Sequence, residues 1–126
     1  MALIAIIDDD PDILDSSSIV LKSKGHNIVT ANNPRDGYKI VAEQKPDLII
    51  LDVMMDEPDD GFYLAQKFRK EGITTPILMY SSVSKATGME YDKSEMVPVD
   101  DFVEKPISPE ELINKVNNLL KAKEVK

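Results

Sequence analysis

Lys45-Pro46-Asp47-Leu48-Ile49-Ile50-Leu51-Asp52-Val53-Met54-Met55 is the stretch that decides the fold. Residues 48–51 are all apolar, so an extended chain here presents an apolar side chain to each of its two faces. That is the habit of a strand in a parallel sheet covered on both sides, and a carboxylate, Asp52, closes it. Working outward, short apolar runs recur at residues 3–7, 28–31, 47–51, 77–80 and 102–104, each followed by a helical pattern. Strands alternating with helices imply βαβ units with right-handed crossovers, and hence a doubly wound parallel sheet.

The helices carry their own start signals. Asp10-Pro11 and Asn33-Pro34 each set a capping side chain before a proline at the first helical position. Ser108-Pro109-Glu110-Glu111 adds a capping box, and Leu112, Ile113, Val116, Leu119 and Leu120 then share one face. An earlier helix groups Ile13, Ser17, Val20 and Leu21, and another Gly61, Leu64, Ala65 and Phe68. Residues 83–101 are the weak stretch: Ala86, Met89 and Met96 are interrupted by Gly88 and Pro98, so only a short or irregular helix is expected.

The chain has 126 residues, one domain's worth, with residues 1–122 expected to form it and 123–126 a polar tail. Without cysteine there are neither disulfides nor thiolate metal sites. The apolar runs are too short to span a bilayer, and the N-terminal one runs straight into aspartates without a basic start, so a cytoplasmic location is expected. A net charge of −8 opposes direct nucleic-acid binding and favours cations and proteins as partners.

Ligands of an open α/β sheet bind beyond the carboxyl ends of its strands. Those ends read Asp8-Asp9-Asp10, Leu51-Asp52, Ser81-Ser82 and Lys105-Pro106. Clustered carboxylates repel: two unit charges about 4 Å apart cost on the order of 4 kcal/mol at an effective dielectric near 20. A hard divalent cation relieves this, and Mg²⁺ suits one or two carboxylates plus water and a phosphate. A carboxylate beside it can attack phosphorus and become an aspartyl phosphate, while Lys105 steadies the equatorial charge and the Ser81 hydroxyl donates to a phosphoryl oxygen.

Ile6-Ile7-Asp8-Asp9-Asp10-Pro11-Asp12-Ile13-Leu14, the 45–55 stretch, Pro76-Ile77-Leu78-Met79-Tyr80-Ser81-Ser82 and Asp101-Phe102-Val103-Glu104-Lys105-Pro106 together resemble the CheY-like receiver domains of response regulators in two-component signal transduction. The resemblance covers essentially the whole chain, in the family's order. It implies a flavodoxin-like (βα)5 three-layer sandwich with strand order 2-1-3-4-5. It further implies Asp52 as phosphoacceptor; Asp8, Asp9, Asp52 and the Met54 backbone carbonyl around Mg²⁺ (or Mn²⁺); Ser81 as switch hydroxyl; Lys105 as phosphate-binding lysine; a cis bond to Pro106; and Phe102 as switch aromatic. Expected partners are a sensor histidine kinase or histidine phosphotransfer protein and a downstream protein target, with the chain a monomer or weak dimer. No enzymatic activity is expected beyond self-phosphorylation and self-dephosphorylation. Met54 and Val83, both apolar, stand where the family places residues flanking the attacking water, so slow self-dephosphorylation is expected.

Two departures from the family pattern stand out. The usual proline four residues after the acceptor is Asp56, in a loop over 56–61 that is one residue longer, and residues 83–101 lack the usual small-residue pattern. A receiver-like interaction module that is never phosphorylated is therefore one alternative. A haloacid-dehalogenase-like phosphatase, with Asp8 and Asp10 as its paired aspartates, is another. Asp10 reads better as a helix cap, and His26 as an exposed turn residue. The 56–61 loop fails as a calcium site because Pro58 and Lys67 fall where oxygen ligands are required.

Overall fold

The computed structural model describes residues 2–53, 55, 60–81, 100–104 and 108–125. Strand β1 (Leu3–Ile7) leads to helix α1 (Pro11–Lys22), β2 (Asn27–Ala31), α2 (Pro34–Gln44), β3 (Leu48–Asp52), α3 (Asp60–Lys70), β4 (Ile77–Ser81), β5 (Asp101–Glu104) and α4 (Pro109–Val125). The strands form one five-stranded sheet in the order β2-β1-β3-β4-β5, every pair parallel. This is the doubly wound flavodoxin-like arrangement expected from the sequence.

The alternation within each strand builds two separate cores. On one face Ala5, Ile7, Ile49, Leu51, Ile77 and Met79 pack against α2 and α3 through Val41, Leu64, Ala65 and Phe68. On the other, Ile4, Ile6, Leu48, Ile50, Leu78 and Tyr80 pack against α1 and α4 through Leu21, Leu112 and Val116. All five residues of β3 are buried, whereas β2, at the sheet edge, buries only Ala31 fully. A strand between two cores must be apolar at every position, and an edge strand need not be.

The caps act as expected. Asp10 Oδ1 accepts from the Asp12 N–H at 2.9 Å, Asn33 Oδ1 from the Asp36 N–H at 2.8 Å, and Ser108 Oγ from the Glu111 N–H at 3.1 Å. Each side chain satisfies a backbone donor that the first helical turn leaves without an intrahelical partner. Helix α4 continues through residues 121–125, into the expected 123–126 tail.

Some boundaries differ from the sequence reading. Asp47 precedes β3 instead of opening it, because its side chain is taken up elsewhere: Oδ2 accepts the Leu3 N–H at 2.9 Å, while the Asp47 N–H donates to the Leu3 carbonyl at 2.7 Å. Strands β3 and β4 each run one residue past the apolar stretches 47–51 and 77–80, taking in Asp52 and Ser81. His26 is half-buried, not exposed, since its Nδ1 accepts the Ala2 N–H at 3.2 Å and the ring is drawn under the start of β1. The expected irregular helix within 83–101 lies almost wholly outside the described residues, as does most of the 56–61 loop.

Candidate functional site

Strand register brings the carboxylates together. Ile7 pairs with Leu51 in the parallel ladder, so Asp8, which follows β1, and Asp52, the last residue of β3, stand side by side at the rim of the sheet. One carboxylate oxygen from each of Asp8, Asp9 and Asp52 lies within 4.8 Å of the other two. The two flanking residues are deeply placed, Asp8 at 1% exposure and Asp52 at 5%, while Asp9 is exposed and opens the cluster to solvent.

The backbone around these carboxylates is pinned. The Asp8 N–H donates to the Ala31 carbonyl at 3.0 Å, continuing the β1–β2 ladder one residue past the strand. Asp8 Oδ1 accepts the Asp10 N–H at 2.9 Å, which holds the carboxylate at the turn into α1. After Asp52, the Val53 N–H donates to the Tyr80 carbonyl at 3.2 Å and the Val53 carbonyl accepts the Gly61 N–H at 2.8 Å. The end of β3 is thus tied to β4 on one side and to the first turn of α3 on the other.

Two unit charges no more than 4.8 Å apart repel by at least about 3.5 kcal/mol at an effective dielectric near 20. The donors are hard oxygens, two shielded and one open, a set that fits a small divalent cation retaining water and accepting a phosphate oxygen. Asp10 stands apart: its carboxylate caps α1, so Asp8 finds its acidic companions in Asp9 and Asp52. The paired-aspartate arrangement of Asp8 with Asp10, which a haloacid-dehalogenase-like phosphatase needs, is not formed.

Of the other residues singled out in the sequence, Ser81 ends β4 opposite Glu104 of β5. Phe102 pairs with Met79 and is half-buried against the core shared with α2 and α3. Met54, Lys105 and Pro106 lie outside the described residues. The sequence reading treated Gly61 as one more member of an apolar helix face and missed its contact with the end of β3. A glycine on the apolar face of a helix contributes no side chain to the packing there, and that is the signal that could have marked a close backbone approach.

Comparison with known proteins agrees with the fold. The family model described as "Response regulator receiver domain" matches residues 4–117. The alkaline phosphatase synthesis transcriptional regulatory protein PhoP of Bacillus subtilis is 31% identical over 97% of this chain and 50% of its own length. Protein PilH of Pseudomonas aeruginosa is 27% identical over 95% of this chain and 98% of its own. Among solved structures, the receiver domain of Francisella response regulator 1452 superposes with a TM-score of 0.84 at 27% identity, covering 98% of this chain and 99% of that one. The chain spans about half the length of the first transcriptional regulators it matches.

Proposed function

This chain belongs to the response regulator receiver domain family of two-component signal transduction, and from that premise we propose that Asp52 is its phosphoacceptor, with Asp8 and Asp9 holding a divalent cation beside it. The observation that carries the reading is the meeting of Asp8, Asp9 and Asp52 within 4.8 Å at the carboxyl ends of two adjacent strands. A family resemblance alone does not bring three carboxylates together in this chain; the β1–β3 register does.

An Asp52 carboxylate oxygen attacks the phosphorus of the donor. A new O–P bond forms as the bond to the leaving group breaks, and the leaving group keeps the electron pair. The donor is a phosphohistidine of a sensor kinase or phosphotransfer protein, or a small acyl phosphate. Mg²⁺, when bound, supplies positive charge beside the phosphoryl oxygens and offsets the mutual repulsion of the carboxylates. By the family resemblance, Lys105 would hold the phosphoryl oxygens, the Met54 carbonyl would be a further ligand to the cation, and the Ser81 hydroxyl would donate to a phosphoryl oxygen. Phosphorylation shifts the population between two states of the domain, which Ser81 and Phe102 couple to a surface recognised by a downstream protein in the cytoplasm. Among the described residues no helix is long and apolar enough to cross a membrane.

Treatment with acetyl phosphate and Mg²⁺, followed by intact-mass measurement, tests this. The wild type gains one phosphoryl group, and neither Asp52→Asn nor wild type in EDTA does. Label that persists in Asp52→Asn and disappears in Asp8→Asn overturns the assignment. The phosphoryl group should also be long-lived, since neither Met54 nor Val83 can orient a water molecule. Dephosphorylation that Met54→Asn with Val83→Glu leaves unaccelerated contradicts this.

A further inference from the structure

We propose that Gly61 is a positioning residue for Asp52: its missing side chain lets α3 close onto the peptide that follows the acceptor, and so sets how near the Asp52 carboxylate comes to Asp8 and Asp9. The proposal rests on the reading of Asp52 as a phosphoacceptor beside a divalent cation.

A Cβ built at Gly61 would stand 2.1 Å from the Asp52 backbone oxygen, 2.7 Å from the Val53 Cα and 2.9 Å from the Asp52 carbonyl carbon. The first approach is about 0.9 Å short of the 3.0 Å that real Cβ atoms keep. All three neighbours are backbone, so no side chain can rotate out of the way. Gly37 is different: a Cβ there would meet the Ile7 side chain at 2.7 Å, and a side chain can yield. Helix α3 cannot simply back away either. Leu64, Ala65 and Phe68, on the same face as Gly61, are buried in the core shared with α2 and the sheet. The hydrogen bond from the Gly61 N–H to the Val53 carbonyl, at 2.8 Å, holds the contact closed.

An added methyl must therefore be accommodated by moving the Asp52–Val53 peptide, α3, or both. Asp52 is the last residue of its strand, so a shift of the Asp52–Val53 peptide falls on the residue that carries the carboxylate. Displacement of its carboxylate bears unequally on different cations. Mg²⁺ demands near-ideal octahedral geometry at short distances, whereas Ca²⁺ accepts longer bonds and irregular coordination. Loss of position at Asp52 should lower Mg²⁺ affinity much more than Ca²⁺ affinity. A general loss of stability would not change their ratio.

The experiment compares the full chain as wild type, Gly61→Ala and Phe68→Leu. Mg²⁺ and Ca²⁺ titrations are followed by backbone amide shifts, with urea midpoints and acetyl phosphate labelling alongside. Gly61→Ala is expected to lose Mg²⁺ affinity by about tenfold to a hundredfold, on the scale of an ångström of misplacement. Its Ca²⁺ affinity should change by less than about threefold, given that ion's tolerance of irregular geometry. Phosphoryl uptake should slow in step with the Mg²⁺ loss. Phe68→Leu is expected to lower the urea midpoint while keeping both affinities. An unchanged Mg²⁺-to-Ca²⁺ ratio in Gly61→Ala overturns the proposal. A wild type that binds no Mg²⁺ and takes up no phosphoryl group sinks the phosphoacceptor reading instead. Should Gly61→Ala be unfolded in buffer, the titrations are repeated in trimethylamine N-oxide, which favours the compact state. A variant still unfolded there makes the contact a requirement of the fold and ends the proposal.

Discussion

Asp8, Asp9 and Asp10 are three identical side chains in a row with three different environments. Asp8 is buried between strand ends, Asp9 faces solvent over the cluster, and Asp10 turns away to cap α1. Replacing Asp10 by Ala should therefore cost about 1 kcal/mol of stability through the lost cap. Phosphoryl uptake on Asp52 should persist, as urea unfolding and intact mass on the same sample will show. The cap was legible in the sequence because Asp-Pro before an apolar periodic segment is a local signal. The burial of Asp8 was not, since it depends on residues more than forty positions away.

His26 makes the same point with a pH signature. Burial, and then the nearby N-terminal ammonium, lower its pKa below the ordinary value of 6.5. Such a group binds protons more readily in the unfolded chain. Its contribution to stability is thus complete above pH 6.5 and declines as pH falls from there toward the folded value. The protonated ring also loses Nδ1 as an acceptor for the Ala2 N–H. The fall in urea midpoint between about pH 7.5 and about pH 5.5 should be smaller in His26→Asn than in wild type, because the asparagine does not titrate in that window. Equal falls in the two proteins count against this account.

At the scale of elements, α3 is fastened at both ends. Its first turn closes on the end of β3, and near its last turn Arg69 gathers three separate segments. Arg69 Nη1 donates to the Ile73 carbonyl at 2.9 Å and to the Thr75 carbonyl at 2.8 Å, and Nη2 meets Asp100 Oδ2 at 3.1 Å. The same Asp100 oxygen accepts the Ile77 N–H at 2.8 Å, and the Asp100 N–H returns to the Ile77 carbonyl at 2.9 Å. One planar guanidinium thus spans the helix end, the loop before β4 and the approach to β5. Arg69→Ala should cost about 1–2 kcal/mol, less than a fully buried network because both partners are partly exposed. Arg69→Lys should restore less than half of that, because an ammonium cannot reproduce the fork. Urea midpoints of the two variants check both statements. From the sequence Arg69 reads only as a basic residue in a last helical turn. The helix faces were legible: the residues grouped on one face of α1 and of α3 are buried or pack beside those that are.

Across the whole molecule, the sheet carries a conflict that a ligand can relieve. Three carboxylates converge at one rim of a chain whose net charge is already −8. A cation bound only by the folded chain stabilises it by RT ln(1 + [L]/Kd), about 2.7 kcal/mol at a hundredfold excess over Kd. Mg²⁺ should accordingly raise the urea midpoint of the wild type. Asp8→Asn, relieved of one charge, should start from a higher metal-free midpoint and gain less from Mg²⁺. A metal-free midpoint below that of the wild type would mean that the hydrogen bonding of Asp8 outweighs its repulsion.

The sequence by itself determined what depends on near neighbours in the chain. Apolar strands buried on both faces follow from side-chain alternation, the helices and their starts from the helical period and capping residues, and the doubly wound parallel sheet from alternating strands and helices, while the strand order followed from the family resemblance. Asp8, Asp9 and Asp52 were legible as acidic residues at strand ends. Only the tertiary structure decided their distances and the inward turn of His26. It alone revealed the reach of Arg69 across three segments and the closeness of Gly61 to the Asp52 backbone. Those are contacts between residues far apart in the chain, fixed by sheet register and helix packing, and no period or local motif encodes them.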